Sequence, residues 1–161
     1  MRVLRRFFLG GASVFLAFPV SLWAWFHERR IVRRGRQLTE SEIADAQAVG
    51  VRRPERLRIL AVREVPNPLS RLAGLIDRWT RYSVFSPAGM TLRYGIFALE
   101  YAERDRRLLV HEFAHVAQYE RLGGRFWFMR RYIFECLANG YAGAALEVEA
   151  REVTERVCRS N

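Results

Sequence analysis

The sequence predicts an α+β protein with an apolar N-terminal helix that crosses a membrane, then a small sheet, then a helical C-terminal half. Three observations carry that prediction. Residues 7–26 form a 20-residue run without a single charge. Two short segments, residues 57–65 and 90–99, are rich in apolar residues and bounded by turn formers, as strands are. From residue 105 onward apolar residues recur at three-and-four spacing, punctuated by Gly123-Gly124 and by Gly140 and Gly143. Strands followed by helices, rather than alternating with them, make an α+β arrangement. The chain divides into residues 1–37, a basic flank with anchor and juxtamembrane segment, and residues 38–161, about 120 residues that suit one domain.

The uncharged run follows Arg2, Arg5 and Arg6 and would span about 30 Å as a helix, the thickness of a bilayer core. It exceeds the roughly 7–15 apolar residues of a secretory signal. Trp23, Trp25 and Phe26 stand where a cleavage site would need small residues. Those aromatics suit a membrane interface, and Pro19 can kink a spanning helix without preventing it. A retained single-pass anchor is therefore expected, with a cleaved signal peptide as the alternative. Arg29, Arg30, Arg33, Arg34 and Arg36 on the far flank outnumber the three proximal arginines, which places the C-terminal half on the cytoplasmic side by a small margin.

The net charge of +10 comes entirely from arginine over lysine, scattered except beside the anchor. Anionic headgroups are the natural partner of that cluster, and no nucleic-acid-binding motif is present, so no nucleic-acid partner is expected. Two cysteines without a disulfide-like spacing leave the compartment open.

Thr39-Glu40-Ser41-Glu42 is a capping box that opens a short helix to about Val49. Residues 57–65 follow as a strand, broken by Pro66-Asn67-Pro68. Residues 69–79 suggest a short helix, and Ser86-Pro87-Ala88-Gly89 a turn. Residues 90–99 read as a second strand. A helix over 105–122 follows, then an aromatic-rich helix over 125–137, then a last helix beyond Gly143.

The helix over 105–122 holds the chemistry. His111-Glu112-Phe113-Ala114-His115 places two imidazoles four residues apart on one helix face, where they can share a metal ion. Glu112 stands beside that face as a candidate general base. The chain has three histidines, and two are in this motif. Val110, Phe113, Ala114 and Ala117 form the adjacent apolar stripe, so the histidine face is partly buried. A catalytic zinc site takes a third protein ligand and leaves one position for water. His27 lies at the end of the apolar run, and Cys136 and Cys158 stand in no ligand pattern, so an acid on the last helix is the best candidate. Periodicity offers Glu147 and Glu149 and leans weakly to Glu149, which lies nearer the stripe of Leu146, Ala150, Val153 and Val157.

The stretch from His111 to Arg151 resembles the gluzincin-type zinc metallopeptidases, in which His-Glu-x-x-His is followed on another helix by Glu-x-x-Ala-Asp. The wording His-Glu-Phe-Ala-His-Val-Ala-Gln-Tyr-Glu-Arg-Leu-Gly-Gly also resembles a group of small bacterial proteins with a predicted peptidase-like domain. The resemblance covers the last third of the chain strongly and the region from Leu38 loosely. It implies a zincin-like C-terminal half, zinc as the metal, Glu147 as third ligand with Ala150 in register, and a peptide or protein substrate. It also implies a bacterial inner membrane around the anchor, and that the 90–99 strand is an edge against which a peptide can pair. One position departs: Arg151 replaces the acid that in the family orients a ligating histidine.

The expected function is thus a membrane-anchored zinc metallopeptidase. His111, His115 and Glu147 hold the metal, Glu112 serves as the base, and Tyr119, Tyr132 or Tyr141 serves as a further polarising group. Gln118, two helical turns from His111, reads first as a surface amide, with support of the site as the alternative. The alternative, favoured by Arg151, is a non-catalytic membrane adaptor that retains a metallopeptidase-like site.

Overall fold

The computed structural model describes residues 2–66 and 88–159. The sequence-predicted helix at 69–79 and most of the 86–89 turn lie outside these residues. Helix α1 (Arg2–Arg34) is one continuous helix through Pro19, longer than the uncharged run that starts it. Helix α2 (Glu40–Val49) opens on the expected capping box: Thr39 accepts from the Glu42 amide, and the Glu42 carboxylate accepts from the Thr39 amide. Gly50, at φ 101°, closes it in the left-handed conformation that a side chain would resist.

Strand β1 (Arg58–Val62) is shorter than the 57–65 expected, because Pro54 starts a 3₁₀ turn through Arg56 that fixes Leu57 as its cap. The 90–99 segment is not one strand but a hairpin of β2 (Gly89–Leu92) and β3 (Gly95–Leu99). Arg93, at φ 66°, makes the reversal. A non-glycine residue seldom takes that conformation, so the sequence gives no turn signal there. The sheet order is β1-β3-β2, with β1 parallel and β2 antiparallel to β3. The central strand is therefore β3, and β1 and β2 are the edges, β1 bridged at Ile59 by Arg36.

Three helices complete the chain: α3 (Arg106–Arg121), α4 (Arg125–Asn139) and α5 (Ala145–Arg159). Asp105 caps α3 by accepting from the Leu108 amide. Gly123 and Gly124, both at positive φ, make the turn into α4 as the sequence predicts. Two buried clusters lie on either side of the sheet. Leu57, Ile59, Ile96, Ala98, Leu109, Phe113 and Val116 join β1 and β3 to α2 and α3. On the other side, Ala17, Ala24, Ile31, Phe97, Tyr119, Phe128 and Met129 join α1 to the sheet and α4.

Helix α1 is accordingly part of the packing and not only a leader to it. Glu28 is buried, accepts from the Tyr94 amide at 3.3 Å and pairs with Arg125 at 2.5 Å. Removing one partner of a buried ion pair strands the other charge and costs about 3–5 kcal/mol. Glu28→Ala is therefore expected to destabilise the detergent-solubilised protein by about 3 kcal/mol in denaturant unfolding. Arg34→Ala, at an exposed position on the same helix, should change it little.

Candidate metal centre

The site forms where α3 meets the first turn of α5. Four-residue spacing puts His111 and His115 on the same side of α3, with their Nε2 atoms 3.2 Å apart. Glu147 enters from α5, its Oε1 3.3 Å from His115 Nε2 and its Oε2 3.4 Å from His111 Nε2. His115 and Glu147 are buried and His111 is half-buried. Among the described residues this is the group of His, Cys, Asp and Glu side chains that could hold a metal ion.

Periodicity pointed to Glu149, and the structure places the two glutamates differently. Glu147 is 1% exposed and faces the histidines, whereas Glu149 forms a paired contact with Arg121 at 2.6 and 2.7 Å on the surface. The stripe of α5 turns inward earlier than its later residues suggest, because its first turn is pinned on two sides. The buried Glu135 carboxylate accepts from the Leu146 amide at 2.8 Å, a charged cap at the positive end of the helix. Gln118 Nε2 donates to the Leu146 carbonyl at 2.8 Å. Glu147 is the next residue, so both bonds fix its approach.

Gln118 is not a surface amide. It is 1% exposed, and its Oε1 lies 2.9 Å from His115 Nδ1. An amide oxygen can only accept, so Nδ1 carries a proton, and a neutral His115 presents Nε2 as its free donor atom. This is the orienting role that Arg151 cannot fill. Arg151 instead donates to the Ala142 carbonyl at 2.5 Å. Gln118 Nε2 also reaches Glu149 Oε2 at 3.3 Å, which ties His115 to the Glu149–Arg121 pair.

Glu112 is buried on the adjoining side of α3. The Thr91 hydroxyl lies 2.7 Å from Glu112 Oε2 and 3.0 Å from the Glu112 carbonyl oxygen. Its other oxygen packs on β2 at Gly89, where a Cβ would come within 2.8 Å of Oε1. Glycine there makes room for the carboxylate. Thr91 carried no sequence signal, and Gly89, read from the sequence as the end of a turn, opens β2 instead; their role exists only once β2 crosses α3.

The three tyrosines separate. Tyr119 is fully buried, donates to the Thr91 carbonyl at 3.3 Å and stacks on Phe128. Tyr132 donates to Glu147 Oε1 at 2.7 Å. Burial, reinforced by the Glu147 charge, raises the pKa of both Tyr132 and Tyr141, so both are neutral donors. His27 lies among Trp23, Phe26 and Phe97, on the α1 side of the sheet.

Burial raises the Glu147 pKa, but bonding to His111, His115 and Tyr132 outweighs it and holds the carboxyl well below its usual range. Burial works against charge on His115 and is likewise outweighed, chiefly by Glu147 and Glu112, so its pKa rises. One buried anion among polarised imidazoles is a site that favours a cation. Comparison of the chain with protein-family models, with curated proteins and with solved structures finds no match in any of the three.

Glu147→Gln is expected to weaken zinc binding markedly in competition titrations, with Glu149→Gln close to wild type. Gln118→Ala should lie between them, at roughly 10–100-fold weaker binding, the usual effect of removing a partner that orients a ligand. Equal effects of the two glutamate substitutions would contradict this placement.

Proposed function

We propose that the protein is a membrane-anchored zinc-dependent hydrolase that cleaves peptide bonds. One observation carries the metal. His111, His115 and Glu147 converge so that one ligand atom from each lies within 4.8 Å of the others, with the two imidazole Nε2 atoms 3.2 Å apart and one carboxylate oxygen within 3.4 Å of each. Among the described residues the buried Glu147 Oε2 accepts no hydrogen bond, and His111 Nε2 stands 3.4 Å from it, an arrangement that suits an atom waiting for a cation. Two neutral imidazoles and one carboxylate are a donor set suited to zinc, and they leave a position open.

Zinc bound there would supply Lewis acidity, polarising a carbonyl and making an adjacent water more acidic. The residues do the rest. Glu112 accepts the proton of the attacking water and returns it to the leaving amine. Thr91 and Gly89 hold its carboxylate in place. Tyr132, on Glu147 Oε1, directs the other oxygen into the site, and Gln118 keeps His115 in the tautomer that presents Nε2.

Support for a peptide substrate comes from β2. Leu99 N donates to Ala88 O at 2.8 Å, so the antiparallel alternation turns the backbone groups of Gly89 and Thr91 away from β3. The Thr91 carbonyl is taken by Tyr119, and Gly89 presents its amide and carbonyl outward beside Glu112. An extended peptide adding to that edge would run past the base.

The purified protein should cleave members of a broad peptide library. Glu112→Gln should keep its zinc and fold while losing about 10²–10⁴-fold in rate. A variant that kept both zinc and full biological activity would show instead that the site is structural and the protein an adaptor.

A further inference from the structure

The packing of α1 bears on how the protein meets the membrane. Leu9–Arg34 is long and apolar enough to cross a bilayer. It is not, however, a helix standing clear of the domain. Ser13, Ala17, Ala24, Glu28 and Ile31 are buried along one side, and α4 lies against it. Glu28 meets Arg125 at the start of α4, while Ala17 and Ala24 share a cluster with Phe128 and Met129. The two helices therefore run antiparallel, and the fifteen residues of α4 cover α1 for about 22 Å back from Glu28.

That overlap falls within the uncharged run. Tyr132, which bonds Glu147, stands about 10 Å along α4 from Arg125, level with residues 21–22 of α1. A perpendicular span would draw α4 into hydrocarbon together with the exposed Arg130 and Arg131, and exposed arginines there are costly. The opposite side of α1 has no such conflict. Phe15, Phe18, Leu22 and Phe26 are 60–85% exposed and fall on one line at helical spacing. Arg29, Arg30, Arg33 and Arg34 continue from it, form a groove with Trp25 and Phe26, and Arg29 lies 4.6 Å from the Trp25 ring centre. Aromatic and aliphatic side chains followed by a basic cluster fit acyl chains and anionic headgroups. Arg2, Arg5 and Arg6 make the other end of the helix basic too. Two basic flanks give a spanning helix little orientation but suit a helix whose ends face the same anionic leaflet.

We propose that α1 binds one leaflet of an anionic bilayer without crossing it, with Phe15, Phe18, Leu22 and Phe26 in the acyl layer and Arg29, Arg30, Arg33 and Arg34 on the headgroups. Both ends of α1 and the metal centre then lie on the same side of the membrane. The proposal rests on α1 being the anchor and is independent of the metal chemistry.

The full-length chain, with Cys136 and Cys158 replaced by serine, is expressed with a single cysteine at Arg5→Cys or Arg159→Cys. Each form is labelled with a membrane-impermeant maleimide in spheroplasts and in inverted vesicles. Both positions should label from the same side. Purified full-length protein should float with phosphatidylglycerol vesicles, and at least tenfold less with phosphatidylcholine vesicles. Replacing the four arginines with glutamine should remove that difference. Phe18→Glu with Leu22→Glu should release a soluble monomer that still binds zinc. Labelling from opposite sides would overturn the proposal in favour of a span. Loss of α1 from the mature protein would overturn it in favour of a signal sequence. Vesicle-independent dimers broken by the double glutamate variant would show that a second copy covers the face. The labelling and flotation outcomes leave the zinc content and the effect of Glu112→Gln unchanged, so failure here is distinguishable from failure of the hydrolase reading.

Discussion

The burial of the Glu147 carboxylate is the constraint on which the rest of the site depends. An isolated carboxylate taken out of water is costly, so it persists only where charge and hydrogen bonds compensate it. Here His111, His115 and Tyr132 surround it. Bringing those groups together requires α3, α4 and α5 to meet at one point. The aromatic stack of Tyr119, Phe128 and Tyr132 holds α4 against α3, and Glu135 and Gln118 hold the start of α5 from either side. Among the described residues Glu147 Oε2 accepts no hydrogen bond, and the three side chains together could hold a cation.

The same packing links the site to the apolar helix α1. Tyr119 and Phe128 belong to the cluster that includes Ala17, Ala24 and Ile31 of α1. The helix that carries Tyr132 thus has α1 on one side and Glu147 on the other. Substitutions on the buried side of α1 should therefore be felt at the metal centre through α4, while those on its exposed line should not.

Much of this was legible in the sequence where short-range rules apply. The capping box at Thr39, the Asp105 to Leu122 helix and its Gly-Gly stop depend on residues within a few positions of one another, and they stand as expected. His111 and His115 share a face by helical geometry alone. The hairpin was hidden because Arg93 occupies a conformation usually given to glycine or asparagine. Periodicity leaned to Glu149 and only the family resemblance gave Glu147, since what turns Glu147 inward is a cap from Glu135 on another helix. Gln118 looked like a surface amide because its partners, His115 aside, lie 28 and 31 residues away on α5. Contacts made across such distances leave no local pattern to read.

The central claim is that His111, His115 and Glu147 hold zinc in a site open to water. Metal analysis of protein purified without chelators, combined with X-ray absorption at the zinc edge, tests it most directly. About one zinc per chain, with only nitrogen and oxygen neighbours at about 2.0–2.2 Å and about two of them imidazoles, is the result expected. Absence of metal, with no uptake of added zinc, would contradict the account, as would a sulfur neighbour at about 2.3 Å.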